Sequence, residues 1–189
     1  MKNNSLENFI QEIKKIWGPL STETVSKSQM LLTELAKTPN NEEWVSNLLS
    51  KPNVEEELYR DPEHGFILFA YSEKRDLYRV PHDHGGCWVV YAVHTGEMEM
   101  KTYRSITNQK GKTSLVCRES YKVRPGESKA YLPEDIHDTK CASDSVLIFR
   151  LTSCDLKKEN REGRMIRYVE NSSSTFKKTI NIKRKRVTE

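Results

Sequence analysis

The residues with the clearest potential for chemistry are three histidines. His82 and His84 stand two apart in the segment PHDHGG, residues 81–86. Residues two apart on an extended chain point to the same face, about 6.5 Å apart, so two imidazoles can bind one metal ion. The glycine pair lets the backbone turn beside such an ion. We predict a metal site with His137 as third ligand, returning on a later strand; the alternative is two surface histidines in a polar turn.

Three neutral imidazoles favour a particular kind of ligand. They leave the double charge of a divalent ion uncompensated, so chelating anions such as a thiolate with an amine or carboxylate are preferred. A guanidinium binds a carboxylate best. Arg60 and Arg150, the lone charge in VLIFRL, are candidates, with exposed ion pairs as the alternative. Tyr91 and Trp88 are candidates for the cavity wall, with core packing as the alternative.

The first 55 residues are expected to form a helical layer. Apolar residues recur at three- and four-residue steps from Ser5 to Trp17, which predicts an amphipathic helix with Ser5 as its cap. Two more helices are predicted, one stopping before Pro39 and one before Pro52. Their apolar stripes must dock on another element.

Short strands dominate the region 56–170. FILFAY, residues 66–71, is followed by candidate strands at 88–93, 98–103, 114–123, 128–132, 146–151 and 165–169. Many short strands with tight turns and no helices between them predict a barrel or sandwich. Met98 and Met100 alternate with charged residues and are expected in the interior. His64 and His94 fall in predicted turns and are expected to face solvent.

Composition excludes several classes of protein. A chain of 189 residues with 35% hydrophobic and 31% charged residues is typical of one compact domain. No apolar run is long enough to span a bilayer, and acids and amides interrupt the N-terminus, which predicts a cytoplasmic protein without membrane contact. The four cysteines form no CxxC pair, so we expect reduced thiols.

The last residues, 171–189, are polar and basic, and disorder is expected there. The cluster of lysines and arginines between 176 and 186 favours a solvated tail over a phosphate-binding or acid-binding segment. No aromatic platform accompanies it, so nucleic-acid binding is not predicted.

The chain resembles the cupins. Their first motif appears as His82-x-His84 followed by Gly96, and their second as residues 124–126 through Pro133 to His137. The segment PHDHGGCWVVYAVHTG resembles the thiol dioxygenases, the cysteine dioxygenase-like family, and Val89 stands where most cupins carry a glutamate ligand. The resemblance implies a mainly β fold, a double-stranded β-helix (jelly-roll) barrel with an N-terminal helical layer.

The resemblance also implies a function. It implies that the metal is Fe(II), with nickel or zinc as possible substitutes. It also implies that dioxygen is added to a small thiol or another small acid, and that a thiol is converted to a sulfinate. It also favours Arg60, which precedes the FILFAY strand as the family's carboxylate-binding arginine precedes its own. The alternatives are a metal-binding cupin that isomerises, hydrolyses or senses a small ligand, and an adaptor with a vestigial barrel and no stoichiometric metal.

Two departures from the family stand out. Cys87 lies two residues too early for the family's cysteine–tyrosine crosslink, and Leu151 is expected at the tyrosine position, so no crosslink is predicted. The family's Ser-His-Tyr relay is expected at Leu147, Phe149 and Leu151, so no relay is predicted. The resemblance therefore implies no catalytic residue beyond the metal site.

Overall fold

The structure, a computed structural model, describes residues 4–111, 113–170 and 179–186, with backbone alone for 170 and 179–186. The helices are α1 (Ser5–Ile16), α2 (Thr22–Ala36), α3 (Glu43–Leu49) and α4 (Leu156–Arg161). The strands are β1 (Glu55–Arg60), β2 (Ile67–Lys74), β3 (Tyr78–His82), β4 (Val89–Thr95), β5 (Met98–Thr107), β6 (Thr113–Val123), β7 (Ser128–Tyr131), β8 (Ile136–Cys141), β9 (Ser145–Thr152), β10 (Ile166–Glu170) and β11 (Thr179–Arg186). Three helices thus precede a mainly β region.

The strands from β2 to β9 form a jelly roll. One sheet has the order β2-β9-β4-β7, with β1 added at its edge, and the other has the order β3-β8-β5-β6. Apart from the β5–β6 hairpin, successive strands alternate between the sheets, which is the winding of an eight-stranded jelly roll. Strands β10 and β11 close the second sheet into a barrel through pairing with β3 and β6. The predicted fold class is confirmed.

The first sheet separates two cores. Because side chains alternate along a strand, Trp88 and Val90 contact the helical layer, whereas Tyr91 points between the sheets, together with Met98 and Met100 as predicted. The helical layer packs on this sheet through apolar side chains of α1, α2 and α3, together with Trp17, the residue that follows α1. The Trp17 ring centroid lies 5.1 Å from that of Trp88.

The helix start differs slightly from expectation. Asn4, not Ser5, caps α1, because the Asn4 side chain accepts from the Glu7 backbone N–H while the Glu7 carboxylate accepts from Asn4 N–H. This reciprocal pair is a capping box, which satisfies two backbone donors at once.

His94 is buried, which corrects the prediction that it faces solvent. Only 5% of it is exposed. It extends from the helix-facing side of β4, where its Nδ1 lies 3.0 Å from Ala36 O and its Nε2 lies 2.9 Å from Asn40 Oδ1. The ring thus binds one of the carbonyls that the end of α2 leaves without a helical partner. His64 is exposed, as expected.

Two of the cysteines are not thiols. Cys87 and Cys154 form a disulfide with a Cα–Cα distance of 5.6 Å, whereas Cys117 and Cys141 are free. The expectation of four reduced thiols was wrong, because the fold brings the start of β4 beside the segment before α4, 67 residues later. Disulfides are more typical of oxidising compartments, and the cytoplasmic location stays a prediction.

The region expected to be disordered contains a strand. Backbone pairing places β11 between β10 and β6, and its sequence begins with the alternation Thr-Ile-Asn-Ile, which suits a strand. The rest of that region, 171–178 and 187–189, lies outside the described residues. No helix within the described ranges is both long and apolar enough to cross a membrane.

The disulfide gives a prediction about thiol reactivity and stability. Iodoacetamide is expected to modify only Cys117 and Cys141 in the unfolded, non-reduced protein, and all four cysteines after reduction, as counted by mass spectrometry. Cys154→Ser should lower the free energy of unfolding by about 2–4 kcal/mol, because it releases a long loop in the unfolded chain. Cys117→Ser, at an exposed position, is the control and should change little. Four modified cysteines before reduction would contradict the disulfide.

Candidate metal centre

The pairing of β3 with β8 brings two of the three histidines together. His82 lies directly opposite His137 in the register, and opposed residues of antiparallel strands have Cβ atoms about 5 Å apart. Their ring centroids lie 4.7 Å apart, and each lies about 5 Å from the ring of His84, at 5.1 and 5.0 Å. One potential ligand atom of each residue lies within 4.8 Å of the other two.

A tight turn after β3 carries His84 back toward the other rings. Gly85 has a φ of +61°, and a Cβ there would lie 2.6 Å from Glu159 Oε2, so the position requires glycine. Glu159 Oε2 accepts the Gly86 N–H at 2.9 Å. Asp83 Oδ1 accepts the Gly85 N–H at 3.1 Å and the first N–H of β10 at 2.9 Å. The turn is therefore fixed from two sides, by α4 and by β10.

The nitrogens that face the centre of the cluster are Nε2 atoms. His82 Nδ1 donates to the carbonyl oxygen of Val80 at 2.8 Å, which leaves the Nε2 lone pair free. The Nε2 atoms of His84 and His137 lie 3.5 Å apart. Within the described ranges, Nδ1 of His84 and of His137 has no hydrogen-bond partner. The ring of His137 is oriented by ring contacts and not by a hydrogen bond to Nδ1. It stacks on Tyr131, with the ring centroids 3.9 Å apart.

Burial keeps the three imidazoles neutral at pH 7. Burial lowers the pKa of His82 to about 4, although its hydrogen bond to Val80 acts in the opposite direction. Burial and then the neighbouring His82 ring hold the pKa of both His84 and His137 well below the usual value. A neutral imidazole carries the lone pair that a metal needs. Three such nitrogens fit iron, nickel, copper or zinc.

His82 and His84 line a pocket of about 480 Å³, and His137 lies behind them, outside the described lining. Tyr91 and Arg150 stand opposite each other on β4 and β9, and both line the wall beside the histidines. Tyr91 Oη lies 3.2 Å from His84 Nε2. Arg150 donates an Nη2–H to Tyr71 Oη at 2.6 Å, while its buried Nε has no partner within the described ranges. Arg150 thus has a buried N–H without a hydrogen-bond partner at the strand position opposite Tyr91.

Two sequence candidates lie elsewhere. Trp88 is not part of the described pocket wall, because strand alternation turns it toward the helical layer and Trp17. Arg60 also lies outside the wall and is 41% exposed, with Nη2 2.8 Å from Glu57 Oε2 and Nη1 3.0 Å from Asp155 Oδ2. For both residues the alternative reading, core packing for Trp88 and an exposed ion pair for Arg60, describes the observed contacts.

The last barrel strand has the opposite phase to the one expected. Leu147, Phe149 and Leu151 belong to the core between the first sheet and the helices. The inward positions of β9 are those between them, including Ile148 and Arg150 in the pocket wall. The residues expected at the relay and tyrosine positions therefore face the helices and not the pocket.

Sequence reasoning missed three residues that shape this region. Glu159 lies on α4, a helix of only six residues that gives no periodic pattern. Tyr71 and Glu73 follow FILFA with two-residue spacing, which would have placed both on one face of β2. That spacing was the available signal.

Known proteins give a likeness of fold only. No protein-family model and no curated protein matches the chain. Similar solved structures include the cupin domain of Schizosaccharomyces pombe Cnp3, with 10% identity and a TM-score of 0.44 over 62% of this chain and 73% of that one. KdgF from Halomonas sp. has 15% identity and a TM-score of 0.42 over 58% of this chain and 88% of that one. An oxalate oxidase in complex with glycolate has 16% identity and a TM-score of 0.41 over 56% of this chain and 53% of that one. No activity is inferred from similarity at this level.

The cluster predicts which histidines matter for metal binding. His137→Ala should weaken metal binding by about 100-fold or more, because it removes a nitrogen from the centre itself, where even loss of an outer partner costs 10–100-fold. The matched control is His64→Ala, which removes an exposed imidazole. Metal content after dialysis, measured by plasma mass spectrometry, is expected to fall to background in the first variant only. Equal metal content in the two variants would contradict the site.

Proposed function

We propose that this chain is a metal-dependent oxidoreductase, an Fe(II) thiol dioxygenase that adds dioxygen to a small thiol to give a sulfinate. The observation that carries the proposal is the meeting of three neutral imidazoles, two of them buried and one half-buried, near a guanidinium whose Nε–H has no hydrogen-bond partner within the described ranges. His82, His84 and His137 would hold the metal. Bound Fe(II) would supply the activation of dioxygen and the oxygenation of the thiolate.

The charges of the pocket support an anionic substrate. Its wall carries four permanent cations and two carboxylates, namely Arg79, Arg150, Arg167 and Lys157 with Glu55 and Glu73. The neutral histidines add no negative charge to balance a divalent ion. A thiolate and a carboxylate on one small molecule would provide that balance.

Arg150 would orient such a substrate. Its guanidinium lies over the Tyr71 ring, 4.7 Å from the centroid, and its Nη2–H binds the Tyr71 hydroxyl. These contacts fix the fork while Nε stays available for a carboxylate oxygen. Because Tyr91 pairs with Arg150 across the strands and lies 3.2 Å from His84 Nε2, the anion site and the histidines are within reach of one small molecule.

Tyr91 contributes a fixed hydroxyl. Burial raises the pKa of its phenol, against the opposing effect of Arg150, so the hydroxyl keeps its proton at pH 7 and can donate to a bound ligand. Apolar side chains, including Ile148, Leu156 and Met165, complete this part of the wall. They limit the access of water to the reacting groups.

Oxygen uptake tests the proposal directly. Protein loaded anaerobically with Fe(II) is mixed with aerated buffer and one thiol at a time, including cysteine, 3-mercaptopropionate, cysteamine and 2-mercaptoethanol. We expect uptake of one dioxygen per thiol consumed, with a sulfinate identified by mass spectrometry, and no uptake by His137→Ala. Stoichiometric metal without uptake for any thiol would overturn the dioxygenase and favour a barrel that isomerises, hydrolyses or senses its ligand.

The role of Arg150 gives a separate prediction. Arg150→Lys should raise the KM for 3-mercaptopropionate by about 10–100-fold, since lysine cannot reproduce the planar fork. The KM for 2-mercaptoethanol, which has no carboxylate, should change little. Arg60→Lys is the matched control, because Arg60 forms its ion pairs outside the pocket. A larger effect from Arg60→Lys than from Arg150→Lys would contradict the assignment.

A further inference from the structure

The end of the pocket away from the histidines contains a buried carboxylate. Glu73 lines the pocket and is 3% exposed. Its Oε1 accepts the Arg79 Nε–H at 2.6 Å, whereas its buried Oε2 has no partner within the described ranges. Buried carboxylate oxygens are normally hydrogen-bonded, because an unsatisfied one has lost water without replacement. One oxygen of this carboxylate is therefore buried beside the pocket without a hydrogen-bond partner.

The position of Glu73 sets its distance from the metal site. Arg79, to which it is bound, pairs with Thr139 on β8, two residues from the His137 that faces His82, which corresponds to about 7 Å along that strand. Glu73 follows Tyr71 on the same face of β2, and Tyr71 binds Arg150. The order along the pocket is thus the histidines, the free guanidinium edge and the free carboxylate oxygen.

The size of the pocket points to a ligand that reaches this end. A volume of about 480 Å³ lies within the range of sites for drug-sized molecules, whereas a thiol acid of three carbons would fill only the part beside the histidines and Arg150. A longer ligand would meet Glu73. Since the other charged groups of the wall are mostly cations, a positive group on the ligand is favoured only beside a carboxylate.

We propose that Glu73 binds an ammonium group of the ligand through Oε2, so that the pocket selects an elongated zwitterionic thiol. In such a ligand the thiolate and carboxylate bind at the metal and Arg150, and the ammonium binds about one residue's length farther away. The metal end of this arrangement rests on the proposed function. The ammonium end rests on Glu73 alone.

Two peptides that differ by one charge test the proposal. Glycylcysteine carries the thiol, the carboxylate and a distant ammonium, and N-acetylglycylcysteine carries a neutral acetamide in place of the ammonium. Isothermal titration calorimetry of the nickel(II)-loaded protein is expected to show glycylcysteine binding about 10-fold tighter or more, the effect of one charge-assisted hydrogen bond. In Glu73→Gln, which keeps the shape of the side chain, this preference should disappear.

Matched variants distinguish direct binding of the ammonium by Glu73 from the effect of the other charged groups of the pocket. Glu55→Gln removes the other carboxylate of the wall, which is exposed, and should leave the preference unchanged. Arg79→Met frees Glu73 Oε1 and should strengthen glycylcysteine binding. Thermal unfolding of each variant verifies that it is folded. Equal binding of both peptides by the wild type, or a preference that survives Glu73→Gln, would overturn the proposal.

These titrations measure binding and not turnover. A wild type that prefers glycylcysteine but consumes no dioxygen with any thiol would contradict the proposed dioxygenase and support the role of Glu73. If the protein takes up no metal, the same two peptides titrated into the metal-free protein still compare the charged and uncharged ends, because Arg150 and Glu73 do not depend on the ion.

Discussion

The register between β3 and β8 is the constraint on which the site depends. It sets His82 against His137, and a slip of one residue would turn one of the two rings to the opposite face. Asp138, the neighbour of His137, helps to fix this register from the other face of the sheet. Its carboxylate accepts the Tyr78 hydroxyl from β3 at 2.9 Å, and the Tyr103 hydroxyl and Lys101 N–H from β5 at 2.6 and 3.0 Å. One buried carboxylate therefore holds three strands in the alignment that brings the imidazoles together.

Burial keeps the imidazoles neutral, because a protonated ring would lose its hydration. Arg150 adds a positive charge to the same pocket. The same low-dielectric space thus contains lone pairs for a metal at one point and a permanent positive charge beside them. An anion bound there would interact with both, and its hydration would be replaced by fixed groups.

Strand patterning predicted a barrel or sandwich, three- and four-residue periodicity predicted the helical layer, and the histidine spacing predicted the meeting of His82, His84 and His137. The jelly roll was implied by the resemblance to the cupins. The phase of the strands after the glycine pair was not predictable, because the turn at Gly85 breaks the alternation; hence Trp88 was proposed for the cavity together with Tyr91. The Cys87–Cys154 bond and the burial of His94 depend on segments far apart in the chain that only the fold brings together. Arg60 was favoured because it precedes a strand, but sequence position does not show which face of a sheet edge a side chain occupies.

The most direct test of the central claim is crystallographic. Crystals of the protein loaded with one metal, iron or nickel, are measured at the absorption edge of that metal, and an anomalous difference map is calculated. One peak is expected, about 2.1 Å from Nε2 of His82, His84 and His137. A map with no peak among the three rings, or with the ring of His137 turned away from the ion, would contradict this claim.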